Sequence, residues 1–86
     1  MSDLIRNNYI NNIGNSICLL SAMLEEITDE EMPIGYKQHL KNELTTYMTL
    51  WKSLYHSELD LEAYDTILNS LDNRRHEIVS ILLHRT

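Results

Sequence analysis

Residues 33–56 read PIGYKQHLKNELTTYMTLWKSLYH, and this stretch decides the fold that the sequence predicts. Its main apolar positions are spaced by 4, 4, 3, 4 and 3 residues, which places them on one face of an α-helix. They are Tyr36, Leu40, Leu44, Tyr47, Trp51 and Leu54. Met48 and Tyr55 widen this face beyond a coiled-coil seam, so we expect a middle helix with a partner on each side.

The chain before this stretch contains a second helical pattern. Its apolar residues alternate at intervals of three and four, which is a heptad pattern. They are Ile10, Ile13, Ile17, Leu20, Leu24 and Ile27. Gly14 lies inside this helix and has three interpretations: it allows another backbone to approach closely, it marks a slight bend, or it is a glycine that a well-packed helix tolerates. We favour the third. Residues 1–8 show little pattern, and we expect them to fray.

A third helical pattern follows Asp60, which we expect to be its N-cap. The seam positions are Leu61, Tyr64, Leu68, Leu71, Arg75, Ile78 and Leu82. Arg75 has three possible placements: paired with an acid such as Asp72, at the bundle edge with its guanidinium in water, or moved outward by a helix break near Asn73. We favour the bundle edge, because the apolar stem then packs while the charge stays hydrated.

Together these patterns predict an all-α protein, an antiparallel three-helix bundle with helices at about 4–27, 33–56 and 61–84. No Gly/Pro-rich linker divides the chain, so we expect residues 1–86 to form a single domain. Pro33 suits the first position of the second helix, where its missing N–H costs nothing. The single cysteine, Cys18, excludes an internal disulfide, and we expect it to be buried.

Composition and charge exclude several classes of partner. The formal net charge of −6 argues against nucleic acid, which binds clustered Lys and Arg. No apolar run approaches the ~20 residues that span a bilayer, and residues 1–12 are polar and Asn-rich, unlike the pattern expected of a secretory signal. We therefore expect a cytoplasmic protein without a membrane partner. The richness in Ile, Leu, Asn and Tyr also suggests an AT-rich gene of mobile-element or phage origin.

Catalytic and metal-binding patterns are incomplete. His76 and Glu77 begin like a zinc-protease helix, but Ser80 stands where the second histidine belongs. Cys18 has no basic neighbour in the sequence that would activate its thiol. The two glycines form no phosphate-binding loop. We therefore expect no enzyme activity, no cofactor and no metal.

Acidic and aromatic residues are the candidates for partner binding. A helix dipole explains carboxylates at a helix start but not Glu25 and Glu26, which close the preceding helix. Tyr and Trp are enriched at interfaces, although a solvated loop and a wet bundle rim remain the alternatives. The candidate partner-binding residues are Glu25, Glu26, Asp29, Glu30, Glu31, Tyr36, Tyr47, Trp51, Tyr55, Arg74 and Arg75.

Two functions fit this sequence. The first is a small acidic helical protein-binding regulator, of the adaptor, inhibitor, anti-activator or co-chaperone type, that docks on a larger protein with a basic surface. A nucleic-acid mimic is a variant of this hypothesis, and a steep salt dependence would identify it. The alternative is a structural homo-oligomer, which we expect to be a homodimer that pairs its helix 1 seam between copies and forms any site at the subunit interface.

Overall fold

The computed structural model describes residues 3–84 and shows an antiparallel bundle of three α-helices. Helix α1 spans Asp3–Glu25, α2 spans Tyr36–Leu54 and α3 spans Leu61–Leu83. A short 3₁₀ turn, Asp29–Glu31, lies between α1 and α2. The all-α class and the three-helix bundle predicted from the sequence are confirmed. The bundle is long and narrow, with extents of 46 × 21 × 17 Å.

The central helix is α1. It packs closely against both α2 and α3, whereas α2 and α3 approach each other less closely. Helix α2 does have a neighbour on each side, as the sequence predicted, but it is not the central helix. The heptad residues of α1 and the adjacent Ile27 are all buried, at 0–1% exposure, and they form the centre of the core. Tyr and Trp keep much of the α2 stripe at the rim of the bundle, because each carries a polar group that needs a partner or water.

The start of α2 differs from the prediction. Gly35 has a φ of +80°, a left-handed conformation that glycine adopts without steric cost, and it is the N-cap of α2. Pro33 therefore lies before the helix rather than at its first position, and its carbonyl accepts a hydrogen bond of 3.0 Å from the Tyr36 N–H. At the other boundaries, α1 ends at Glu25 and α2 at Leu54, two residues earlier than expected in each case.

The beginning of α1 is anchored by Arg6. The helix starts at Asp3, so residues 3–8, part of the segment expected to fray, are helical; Met1 and Ser2 lie outside the described residues. The Arg6 guanidinium donates to the carbonyl oxygens of residues 54, 55 and 57 at 2.8, 3.0 and 3.0 Å. A cation at the C-terminal end of α2 satisfies carbonyls that have no partner within the helix.

Helix α3 is continuous from Leu61 to Leu83, so the alternative of a break near Asn73 is wrong. Its N-cap is Asp60, as predicted, since the carboxylate accepts a hydrogen bond of 2.9 Å from the Ala63 N–H. Arg75 lies at the exposed edge of the bundle and also pairs with Asp72 at 2.7 Å. The first two placements considered for Arg75 are therefore combined.

Gly14 admits a close neighbour, and that neighbour is an indole ring rather than a backbone. A Cβ at this position would lie 2.8 Å from atoms of the Trp51 ring. The Trp51 indole N–H donates a hydrogen bond of 2.9 Å to the Ile10 carbonyl, one helical turn before Gly14. The interpretation that Gly14 is merely tolerated is wrong, because any side chain would displace the ring.

Cys18 is exposed rather than buried. It follows Ile17, which points into the core, and the helical rotation of about 100° per residue carries the next side chain outward. The thiol therefore belongs to the outer surface of α1. Cys18 is therefore not part of the core, where the sequence analysis had expected it.

Candidate functional site

The structure commits part of the predicted acidic cluster to contacts within the bundle. Glu31 closes a capping box, because its carboxylate accepts hydrogen bonds of 2.9 and 3.1 Å from the Thr28 N–H and hydroxyl. Glu25 forms an ion pair of 3.2 Å with Lys41 of α2. Glu26, Asp29 and Glu30 are exposed. The predicted cluster is therefore present at one end of the bundle, but part of its charge is committed to the fold.

Ile34 is the most exposed large apolar residue beside these carboxylates. Its relative exposure is 105%, so the whole side chain projects into solvent. Together with Asp29, Glu30 and Lys37, it lines an open depression of about 610 Å³. We call residues 28–35 the acidic link. It presents the fully exposed side chain of Ile34 together with two exposed carboxylates at the same depression.

The acidic link is tied to both helices that it joins. The Lys37 ammonium donates a hydrogen bond of 2.5 Å to the Ile27 carbonyl, which joins the first turn of α2 to the end of α1. Met32, within the link, is 6% exposed and packs in the core. These contacts fix the link on either side of Ile34. The backbone that carries Ile34 is therefore held by its neighbours before any partner binds.

The predicted aromatic residues have mainly structural contacts. Tyr36 donates a hydrogen bond to the Glu77 carboxylate of α3 and stacks on His39, with ring centroids 5.9 Å apart. Tyr47 is half-buried against the core, and Trp51 covers Gly14. Tyr55 differs, because 47% of its surface is exposed. Within residues 3–84, its ring makes one aromatic contact, an edge-to-face contact with Trp51.

The two predicted arginines form ion pairs within the bundle. Arg74 makes a two-pronged contact with Glu43 of α2, at 2.5 and 2.9 Å, and a third contact with Glu77 at 3.1 Å. The hydrogen bond to Glu43 raises the pKa of the Arg74 guanidinium. Arg75 similarly lowers the pKa of the Asp72 carboxyl by donating a hydrogen bond to it. Arg74 therefore connects α3 to α2 rather than presenting a free cation.

The sequence analysis identified only one residue, Tyr55, of a second exposed surface. At the end of the bundle opposite the acidic link, α1 begins, α2 ends and α3 begins. Leu4 is 71% exposed there, Ile5 45%, Tyr55 47% and Leu61 41%. We call these four residues the apolar end. The sequence had placed Leu61 in the buried seam of α3, and this is wrong because the first turn of α3 projects past the core.

The apolar end continues inward into an aromatic stack. Tyr9 and Tyr64 lie one turn further along α1 and α3, with ring centroids 5.5 Å apart. Tyr64 is fully buried. A hydrogen bond to the Asp65 carboxylate raises the pKa of the Tyr9 hydroxyl. The sequence signals for this surface were Tyr55, already a candidate partner-binding residue, and the apolar pair Leu4–Ile5 in the first turn of α1.

Two further features bear on chemistry. Residues 3–84 bring together no group of three or more His, Cys, Asp or Glu side chains arranged to hold a metal ion. None of the helices in that part of the chain has both the length and the apolar content required to cross a bilayer. No protein-family model, curated protein or solved structure matches this chain.

Proposed function

We propose that this protein is a small protein-binding regulator that docks on a larger protein through the acidic link. The observation that carries the proposal is the complete exposure of Ile34 beside the exposed carboxylates of Asp29 and Glu30. The apolar side chain supplies an anchor that a partner can bury, and the carboxylates supply an attractive field for a basic surface. The complementary surface is an apolar pocket bordered by Lys or Arg.

Several features favour docking by shape over mimicry of nucleic acid. The net charge of −6 is moderate for a chain of this size. Lys41 pairs with one carboxylate of the predicted cluster, and the Thr28 cap engages another. The apolar anchor then contributes more of the affinity than the charge, since exposed charges are screened at physiological ionic strength. We expect capture of the partner to weaken only modestly as salt is raised.

The homo-oligomer loses the feature that had favoured it. The heptad seam of α1 is filled by α2 and α3 of the same chain, so it is not left exposed for a second copy. The adaptor, inhibitor, anti-activator and co-chaperone types all act by docking on another protein. The proposal therefore includes no catalytic step, cofactor, nucleic acid or membrane partner.

A pull-down with matched variants tests the proposal. Tagged wild-type protein, Ile34→Ser and Leu19→Ser are used as baits in a lysate of the native host at moderate salt, and captured proteins are identified by mass spectrometry. Leu19 is the control, because it is 51% exposed on α1, away from the link. We expect one stoichiometric partner that wild type and Leu19→Ser retain and Ile34→Ser loses.

The contrary outcomes are equally clear. Recovery of the bait alone with the wild-type protein contradicts the regulator proposal. Equal recovery of a partner by Ile34→Ser and Leu19→Ser would show that the partner docks elsewhere than on the acidic link. Both substitutions affect exposed side chains, so the free energy of unfolding of each variant should stay within about 0.5 kcal/mol of the wild-type value. Thermal unfolding of the variants checks this and excludes unfolding as the cause of any loss of partner capture.

A further inference from the structure

We infer that the apolar end is a second docking surface, and that its occupant is an amphipathic helix of another protein whose apolar face is bordered by Lys or Arg. This surface shares no residue with the acidic link. The inference therefore goes beyond the proposed function and is tested separately from it.

The apolar side chains at this end form a concentration rather than a scatter. Within residues 3–84, eight large apolar side chains are substantially exposed, and four of them belong to the apolar end. Single exposed apolar residues are normal on any protein, whereas a group at one place is typical of an interaction surface. The other four are Ile34 in the link, Leu19 in the second half of α1, Leu50 one turn before the end of α2, and Leu83 at the end of α3.

The three helix termini that carry these side chains are held in a fixed arrangement. The hydrogen bonds of Arg6 to three carbonyl oxygens fasten the start of α1 to the end of α2. The stack of Tyr9 on Tyr64 fastens the start of α1 to the start of α3. Because α1 and α3 start side by side, Ile5 and Leu61 lie one turn outward from this stack on neighbouring helices. The surface is therefore preorganised, which lowers the entropy lost on binding.

The charge around the apolar end identifies the occupant. The same helix termini and the loop between α2 and α3 carry four exposed acidic residues, Asp3, Glu58, Asp60 and Glu62. The Arg6 guanidinium is engaged by backbone carbonyl oxygens, and the exposed Lys52 in the last turn of α2 stands against four acidic residues, so the rim is acidic on balance. A second copy of this chain and an anionic lipid surface both carry negative charge and are repelled by this rim. A helix with Lys or Arg beside its apolar face complements both the centre and the rim.

Two docking surfaces at opposite ends allow two partners to be held at once. The bundle is 46 Å long, and its helices separate the acidic link from the apolar end. A partner at one end therefore does not cover the other. Among the regulator types proposed above, this arrangement corresponds to an adaptor.

An NMR titration of the full chain tests the second surface. The ¹⁵N-labelled protein is titrated with an amphipathic helical peptide composed of Leu and Lys, and in parallel with the same design composed of Leu and Glu. We expect saturable amide shifts in residues 3–9 and 54–62 with the Lys peptide only. The double variant Leu4→Ser/Leu61→Ser should weaken binding at least about tenfold, because two apolar anchors are removed.

The control double variant is Leu19→Ser/Leu83→Ser, which removes two exposed leucines elsewhere and should bind the Lys peptide as wild type does. Leu4→Lys is the second test variant, because Leu4 is 71% exposed and a lysine there repels the peptide without entering the core. Four results would overturn the inference. They are saturable shifts confined to residues 28–35, equal binding of the Glu peptide, equal weakening by the control variant, and no saturable shifts at all. None of these results alters the expected effect of Ile34→Ser on partner capture.

Discussion

Helix α2 is attached to its two neighbours by different chemistry. Toward α1, the Trp51 ring packs on Gly14 and its indole N–H bonds to a backbone carbonyl. Toward α3, long polar side chains make the main links, with Arg74 reaching Glu43 and Tyr36 reaching Glu77. Close packing depends on shape and buried area, whereas ion pairs between half-exposed groups are weak and screened by salt. The α1–α2 contact should therefore carry more stability than the α2–α3 contact.

The largest expected effect comes from breaking the packed side of α2. Trp51→Ala should lower the free energy of unfolding by about 3 kcal/mol, because it removes the largest ring of the contact and leaves a cavity beside Gly14. Urea unfolding followed by far-UV circular dichroism measures this loss. A curve close to wild type would show that Trp51 contributes contact surface and little packing.

A double-mutant cycle with Gly14→Ala isolates the fit between the two residues. In the wild-type background the new methyl group meets the indole ring, and overpacking of this kind costs about 1–3 kcal/mol, partly offset by the ~1 kcal/mol gain in helix propensity. In the Trp51→Ala background the ring is absent, so Gly14→Ala should stabilise by about 1 kcal/mol. Additive effects of the two substitutions would contradict a direct contact.

The polar side of α2 should respond less and should depend on salt. Arg74→Met should cost about 1 kcal/mol at low ionic strength, discounted because 34% of the Arg74 side chain is exposed. At about 1 M salt, where the screening length is ~3 Å, this cost should shrink, while the cost of Trp51→Ala should not. Urea unfolding at both salt concentrations makes the comparison. Arg75→Met is the matched control and should have almost no effect, because its pair with Asp72 is exposed. A salt-independent cost for Arg74→Met would instead indicate packing of its stem.

The smallest expected effect is a pH dependence at Asp72. The Arg75 hydrogen bond lowers the folded-state pKa of Asp72 below its ordinary value of 3.8. The resulting stabilisation is present above the unfolded-state pKa and is lost as pH falls through the folded-state pKa. NMR titration of the Asp72 carboxyl should show the low pKa, and Arg75→Gln should raise it toward the ordinary value. An unchanged pKa in that variant would exclude Arg75 as the cause.

The pKa of Arg74 is shifted in the opposite direction, upward. Its contribution to stability is therefore lost only as pH rises through that pKa, far above neutrality.

Local patterns explain why much of the fold could be predicted. The heptad positions of α1 are all buried, since a period of three and four residues places side chains on one face whatever the helix packs against. Asp60 is the cap of α3 because a carboxylate before a helix satisfies nearby N–H groups. The acidic cluster of the candidate site was also visible, because its members are close in sequence. The sequence did not show which of these carboxylates form ion pairs within the bundle, because Lys41 of α2 reaches Glu25 of α1 only when the two helices pack together.

The sequence by itself determined three amphipathic helices, their connections and a chain with an excess of carboxylates, since each of these follows from residue types at fixed spacings. Only the tertiary structure decided that α1 is the central helix, that Gly14 accommodates Trp51 and that Leu61 joins an exposed apolar end. The physical reason is that these features depend on the relative position and rotation of separate helices. Periodicity specifies which face a helix buries, but contact between distant residues is set by how the faces fit together.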